Sequence, residues 1–214
     1  MNKIYKSIDH KVRIRSHNEL EVRKYEFLEI CEILNKLGVK YFLLGGILLG
    51  AIRNKNFIPW DWDVEICVNS NEIISKFEDL LSMMSNSKFK IIKYNKTISN
   101  LKLDLEGKLP IATTKYTIMG WNHNKEKKIF WRNTLKIPDH FINNMKKIEL
   151  FDKSHFAPYP PNDYLTHQYG DWKEPIQTSN KYQYLTKKYY NRSIIGDFVL
   201  KIINSLKKIF NKSK

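Results

Sequence analysis

The stretch GGILLGAIRNKNFIPWDWDVEIC, residues 45 to 67, limits the fold more than any other part of the chain. Two adjacent glycines close an apolar run, and three acids, Asp61, Asp63 and Glu65, then alternate with Trp62, Val64 and Ile66. A strand sends every second side chain to the same side, with i and i+2 about 6.7 Å apart. The alternation predicts a strand over residues 61–68 with carboxylates on one face and apolar groups on the other. Like charges held that close resist ionising together. Such a strand needs either solvent over its acids or a cation between them, and the apolar flanks with the glycine turn argue against plain solvation.

The surrounding pattern is that of an α/β or α+β domain on a mixed sheet flanked by helices. Leu20, Tyr25, Leu28, Cys31, Leu34 and Leu37 recur at helical spacing, and Gly38 is a natural stop. VKYFLL (39–44) reads as a buried strand, ILLGAIR as a short helix, and Asn54-Lys55-Asn56 as a turn. A helix is predicted over 71–85, with Ile73, Ile74, Phe77, Leu80, Leu81 and Met84 inside. FKIIKY (89–94) and NLKLDLEG (100–107) read as strands, followed by strand-like sequence to Met119. The second half is expected to be irregular and aromatic-rich, with Pro138, Pro158, Pro160 and Pro161 in loops and a short helix at 164–169. The expected division is a basic arm (1–16), a catalytic domain (17–185) and a basic amphipathic helix (190–214). That last helix carries Ile195, Phe198, Val199, Ile202, Leu206 and Ile209 on one face; it either lies at a membrane interface or docks on the core.

Composition narrows the partners. A chain of 214 residues, 42% hydrophobic and 13% aromatic, can build one real core and is not disordered. The net charge of +15 has three readings: nucleic acid, an anionic lipid or phosphorylated substrate, or a bias toward Lys, Asn and Ile. No helix-turn-helix or RNA-binding motif supports the first, so no nucleic acid is expected. Cys31 and Cys67 sit among apolar residues and suit a reducing compartment. The N-terminus has no apolar run, and no segment approaches the ~20 residues needed to span a bilayer. A cytoplasmic location, at most touching the inner membrane face, is the expectation.

The chemistry follows from the residue types. Glycines let backbone approach a phosphate, and helix N-terminal amides favour its charge. Alternating carboxylates offer hard oxygens to Mg²⁺, which binds a few carboxylates together with substrate phosphate oxygens. Arg53 suits phosphate or a structural ion pair equally. Trp60 and Trp62 either pack the core or stack on a base, packing being the ordinary role. His123, His140, His155 and His167 lack metal spacing and read as structural or solvated.

At these residues the chain resembles the nucleotidyltransferase-fold superfamily, marked by a Gly-Gly or Gly-Ser pair and a later D-h-(D/E)-h element. More narrowly, LLGGILLGAIRNKNFIPWDWDVEI is similar to the signature of the LicD family, which includes phosphorylcholine transferases and fukutin-related protein. NLKLDLEG resembles the strand of the third acid, which falls on Asp104, although Glu106 shares its face. The segment from Ile137 to Pro175 resembles the family's C-terminal block, including Tyr169 and Gly170. Ile47 stands where the family has Thr or Ser, and Glu65 where it has Asp.

The resemblance implies Mg²⁺-dependent transfer of phosphocholine, ribitol phosphate, glycerol phosphate or a similar group. The donor would be CDP-linked, and the acceptor a hydroxyl of a glycan or glycolipid, as in capsule, lipopolysaccharide or teichoic-type decoration. It further implies Asp63, Glu65 and Asp104 as metal ligands, with Mn²⁺ able to substitute, and Asp61 as support. Gly45, Gly46 and Arg53 fall at the donor phosphates, and Asp104 also helps deprotonate the acceptor. Two other readings share the motif: a nucleotidyltransferase that uses an NTP, and a member that binds donor without transfer.

Overall fold

The structure is a computed structural model and describes residues 12–107, 114–178, 180–186 and 188–189. The expected C-terminal amphipathic helix, with its membrane contact, and most of the basic arm lie outside the described residues.

Helix α1 (His17–Lys36) starts at a capping box. Ser16 accepts from the Glu19 amide, Glu19 accepts from the Ser16 amide at 2.9 Å, and Arg13 pairs with the Glu19 carboxylate. Its inner face is turned from the expected one. Phe27, Ile30, Cys31 and Leu34 are buried together with Arg23 and Glu26, while Tyr25 is exposed. β1 (Tyr41–Leu43) runs into α2 (Gly45–Asn54), and β2 (Asp63–Asn69) follows. Strand β2 begins two residues later than the alternation predicted. Asp61 instead closes a turn in which its amide donates to the Ile58 carbonyl at 3.0 Å.

The helix expected over 71–85 is broken into α3 (Ser70–Ile73), a 3₁₀ turn (Ile74–Lys76) and α4 (Phe77–Ser85). At the break Lys76 donates to the Leu37 and Gly38 carbonyls, at 2.8 and 3.1 Å. That satisfies backbone left open at the end of α1 and ties the two helices together.

Strands β3 (Phe89–Asn95), β4 (Lys102–Gly107) and β5 (Lys115–Asn124) follow. The second half is more regular than its prolines suggest. β6 (Ile129–Arg132) and β7 (Leu135–Pro138) form one hairpin, and β8 (Lys146–Leu150) and β9 (Lys153–Ala157) another. The second hairpin turns on Phe151 and Asp152, both left-handed at φ 55° and 58°. This is the turn that Asn-Gly usually signals, and no such pair is present to announce it. α5 (Asp139–Asn143), α6 (Pro161–Tyr169) and α7 (Lys181–Tyr184) complete the described elements, Gly170 closing α6.

The sheet order is β3-β4-β5-β2-β1-β9-β8, with the β6–β7 hairpin paired to β5. β2 runs parallel to β5, and β1 parallel to β9, so the sheet is mixed. Register sorts its two faces. Tyr41, Leu43, Ile66, Val68, Tyr116 and Ile118 turn toward α1, and the Tyr116 hydroxyl donates to Glu26 at 2.7 Å. Asp63, Glu65 and Cys67 turn to the other face together with Lys115, Thr117 and Met119. One continuous core joins the sheet to its helices. Among the described residues no helix is long and apolar enough to cross a membrane.

Within that core His155 accepts from the Tyr41 hydroxyl at Nδ1 (2.9 Å) and lies 3.1 Å from the Leu150 carbonyl through Nε2. A carbonyl only accepts, so Nε2 carries the proton and the ring is neutral. Burial lowers its pKa from 6.5. A lowered histidine means that the unfolded chain takes up the proton first as pH falls. Stability should therefore be full above the ordinary histidine value and decline below it. Replacing His155→Gln should flatten the difference between denaturant midpoints measured near about pH 5 and about pH 8; an unchanged difference would contradict this account.

Candidate active site

The acid face of β2 forms one wall of a cavity of about 470 Å³. Its mouth is built by the Gly45-Gly46 start of α2, the turn at Asp61, and Asp63 and Glu65 of β2. The turn is held from behind: the buried Arg23 of α1 donates to the Asp61 carbonyl at 2.9 Å and to Thr114 at 3.2 Å. The Arg15 amide donates to the Pro59 carbonyl at 2.9 Å. Asp61 thus leaves the strand but returns to the acid cluster. Burial pushes its carboxyl up to about 7, helped by Asp63 and Glu65 and opposed by Arg23.

Gly46 is required for space and Gly45 for its backbone angle. A Cβ on Gly46 would stand 2.0 Å from Asp61 Oδ2. Gly45 has φ +63°, and a Cβ there would lie 3.6 Å from Glu65 Oε2 and 3.9 Å from the Tyr169 hydroxyl. No side chain caps α2, so its first amides are free to meet a charge at the cavity mouth. Arg53, in the last turn of α2, also lines the cavity. It donates to Asn54 and to the Trp172 carbonyl, and makes no ion pair among the described residues.

Asp104 is in register with the row but otherwise engaged. Thr117 pairs with both Glu65 and Asp104, which places Asp104 on the same face, two strands or roughly 9.5 Å of backbone away. Thr117 donates to it at 2.7 Å, Lys102 lies 2.9 Å away, and Lys115 and Lys93 stand at 3.7 and 3.8 Å. Burial pushes its pKa up, but the bonds from Lys102 and Thr117 and the lysine charges outweigh that and lower it. Arg132, buried on β6, adds positive charge near Cys67, Glu65 and Asp104 while donating to Asn100 and the Leu101 carbonyl.

Among the described residues no three His, Cys, Asp or Glu side chains stand together closely enough to hold a metal by themselves. Mg²⁺ does not ask for such a cage, since it keeps waters and binds one or two carboxylates plus substrate phosphate. Asp63 and Glu65, paired on one wall and crowded enough to raise Asp61, fit that demand.

Beyond the acids the cavity wall mixes aromatic and apolar side chains with Asn133, Thr134, Asp171, Glu174 and Thr178. Cys67 continues the acid row at its next inward position, and Met119 lies in register with it. Trp121, Gln168, Tyr184 and Leu185 also line the cavity, and Tyr169 lines it close to Gly45. Cys67 is fully buried, as a small core residue should be, and it also forms cavity wall. Trp60 both packs on the core and lines the cavity, whereas Trp62 only lines it. Alternation along β2 was enough to find Cys67. No spacing in the sequence linked Trp121 or Gln168 to it.

A family model described as LicD/FKTN/FKRP, nucleotidyltransferase domain, matches residues 38–160, more than half of the chain. An uncharacterized protein of Rickettsia prowazekii (strain Madrid E) is 26% identical over 156 residues, covering 66% of this chain and 51% of that one. The ribitol-5-phosphate transferase FKTN of Homo sapiens is 26% identical over 164 residues, or 72% of this chain and 34% of its own. The lipopolysaccharide cholinephosphotransferase LicD of Haemophilus influenzae (strain ATCC 51907 / DSM 11121 / KW20 / Rd) is 44% identical over 46 residues, covering 22% of this chain and 16% of that one. The chain spans about half the length of the first of these relatives and less of the others. Among solved structures, the lincosamide adenylyltransferase LnuA with bound lincomycin aligns over 72% of this chain and 87% of that one, at 12% identity and a TM-score of 0.46.

The contact between α2 and Asp61 can be tested directly. Gly46→Ala should destabilise the protein by about 1–3 kcal/mol, the cost of overpacking, in denaturant titration. In an Asp61→Ala background the same change should cost much less. Equal costs in both backgrounds would show that the two residues do not meet.

Proposed function

The chain belongs to the LicD/FKTN/FKRP family, within its nucleotidyltransferase domain, and from that premise we propose that it transfers a phospho-alcohol group from a CDP-linked donor to a glycan hydroxyl. The observation that carries this reading is the meeting of Asp61, Asp63 and Glu65 with the Gly45-Gly46 start of α2 at one end of a ligand-sized cavity. A helix start without side chains is suited to phosphate, and a carboxylate pair beside it is suited to the cation that accompanies a diphosphate. The relatives named for choline phosphate and ribitol phosphate transfer support the class of cargo.

In this proposal Asp63 and Glu65 would hold Mg²⁺ or Mn²⁺, with Asp104 as a third ligand in place of its lysines. The bound ion would neutralise negative charge on the diphosphate. Gly45 and Gly46 leave room for the phosphates against the helix amides. Arg53 offers a guanidinium to their oxygens from the same wall, where burial lowers its pKa. The acceptor oxygen attacks the phosphorus next to the alcohol, the bond to the bridging oxygen breaks, and CMP leaves. The hydroxyl proton passes to Asp61. Asp61 lines the cavity beside the two metal-holding acids, whereas Asp104, the base implied by the resemblance, is engaged by Lys102 and Thr117.

Incubating the full chain with CDP-choline, CDP-ribitol or CDP-glycerol, a glycan acceptor and Mg²⁺ should release CMP from one of them, and EDTA should stop it. Asp61→Asn should lower turnover by about 100-fold or more while donor still binds, and Asp63→Asn should abolish the metal dependence. Full activity of Asp63→Asn, or synthesis of a CDP-linked product from CTP and a phospho-alcohol, would overturn the proposal.

A further inference from the structure

The cavity lining holds two buried polar atoms without a hydrogen-bond partner among the described residues. Among the described residues, the buried side-chain atoms without a hydrogen-bond partner include Trp121 Nε1 and Gln168 Oε1, and both side chains line the cavity. Trp121 is 1% exposed and Gln168 4%. Buried polar atoms are nearly always bonded, and an exception calls for a missing partner. The polar group beside the indole is the Cys67 thiol, a weak acceptor. The lining also includes Met119, Leu185 and the Tyr184 ring, together with the polar Asn133, Thr134 and Thr178.

The position of these atoms suits one part of the donor. Trp121 lies four residues along β5 from Thr117, the register partner of Glu65, or roughly 13 Å along the strand. A nucleoside covers a span of that order between its phosphates and the edge of its base. We infer that Trp121 Nε1 and Gln168 Oε1 read the hydrogen-bonding edge of the donor's nucleobase, so that the base lies in the aromatic end of the cavity and the diphosphate at the acids. This deepens the transferase proposal and rests on its nucleotide donor.

The choline part of a CDP-linked donor fits these atoms less well. A trimethylammonium group forms no hydrogen bonds and would leave both atoms unmet. A flat heteroaromatic ring has apolar faces for tyrosine and methionine, and on one edge an acceptor next to a donor. The indole only donates and so meets a ring nitrogen or carbonyl, while Gln168 takes an adjacent amino or imino hydrogen. The same pair serves either pyrimidine, through N3 and the amino group of cytosine or through a carbonyl and the imino group of uracil.

The test uses the full chain without metal, in EDTA, so that binding is read apart from turnover. In calorimetric titrations wild type should bind CMP, and Gln168→Met and Trp121→Phe should each weaken CMP at least about tenfold, the effect of losing one buried hydrogen bond. Affinity for phosphocholine or ribitol 5-phosphate should not change. In wild type, the Trp121 indole N–H resonance should move on adding CMP and stay in place on adding phosphocholine, a readout independent of how well the variants fold. Unchanged CMP affinity in both variants, an unmoved indole resonance, or loss of phospho-alcohol binding in place of CMP binding would overturn the inference. CMP binding that depends on Gln168, in a protein that releases no CMP from any CDP-linked donor, would support this inference while defeating the proposed reaction. Transfer with CMP affinity indifferent to both variants would do the reverse.

Discussion

Crowding of negative charge against backbone organises this protein. Asp61, Asp63 and Glu65 share one cavity wall, and the start of α2 comes so close that Gly46 has no room for a Cβ. Carboxylates brought together away from water repel one another and favour protonation, which is why Asp61 is pushed up to about 7. A fold that keeps such a cluster must supply positive charge around it.

Two buried arginines do this from opposite sides. Arg23 stands behind the Asp61 turn and donates to the Asp61 carbonyl and Thr114, and Arg132 stands near Glu65 and Asp104 and donates to the Leu101 carbonyl and Asn100. Their charge stabilises the ionised acids through space while the carboxylates stay turned to the cavity. Asp104 follows the other arrangement, with Lys102 in contact and its pKa lowered. The same face of the sheet therefore holds acids open to the cavity on β2 and a lysine-held acid on β4, separated by Thr117.

Much of this was legible from residue order. Period-2 alternation showed that residues 63, 65 and 67 share a face, because a strand's side-chain period is a property of the backbone. Helix α2 and the glycine turn were legible for a similar local reason. The start of β2 was not, since alternation continued through Trp62 and Asp61 although Arg23, far away in sequence, holds Asp61 in a turn. The break in the helix after Ile73 depends on Lys76 reaching the end of α1. The β8–β9 hairpin turns on Phe151 and Asp152, residues that carry no glycine signal for their left-handed backbone.

The sequence by itself determined the family, the acid row, the glycine pair and the order of the elements around them, because each is written in contacts between residues near one another in the chain. Tertiary structure alone decided what stands opposite the acids. It placed Lys102 on Asp104, Arg132 near Glu65, Tyr169 beside Gly45, and Trp121 and Gln168 in the lining of the same cavity. Those neighbours come from strands and helices separated by tens of residues. Which of them meet is set by strand order and register, and by the burial of a common core, none of which any single segment encodes.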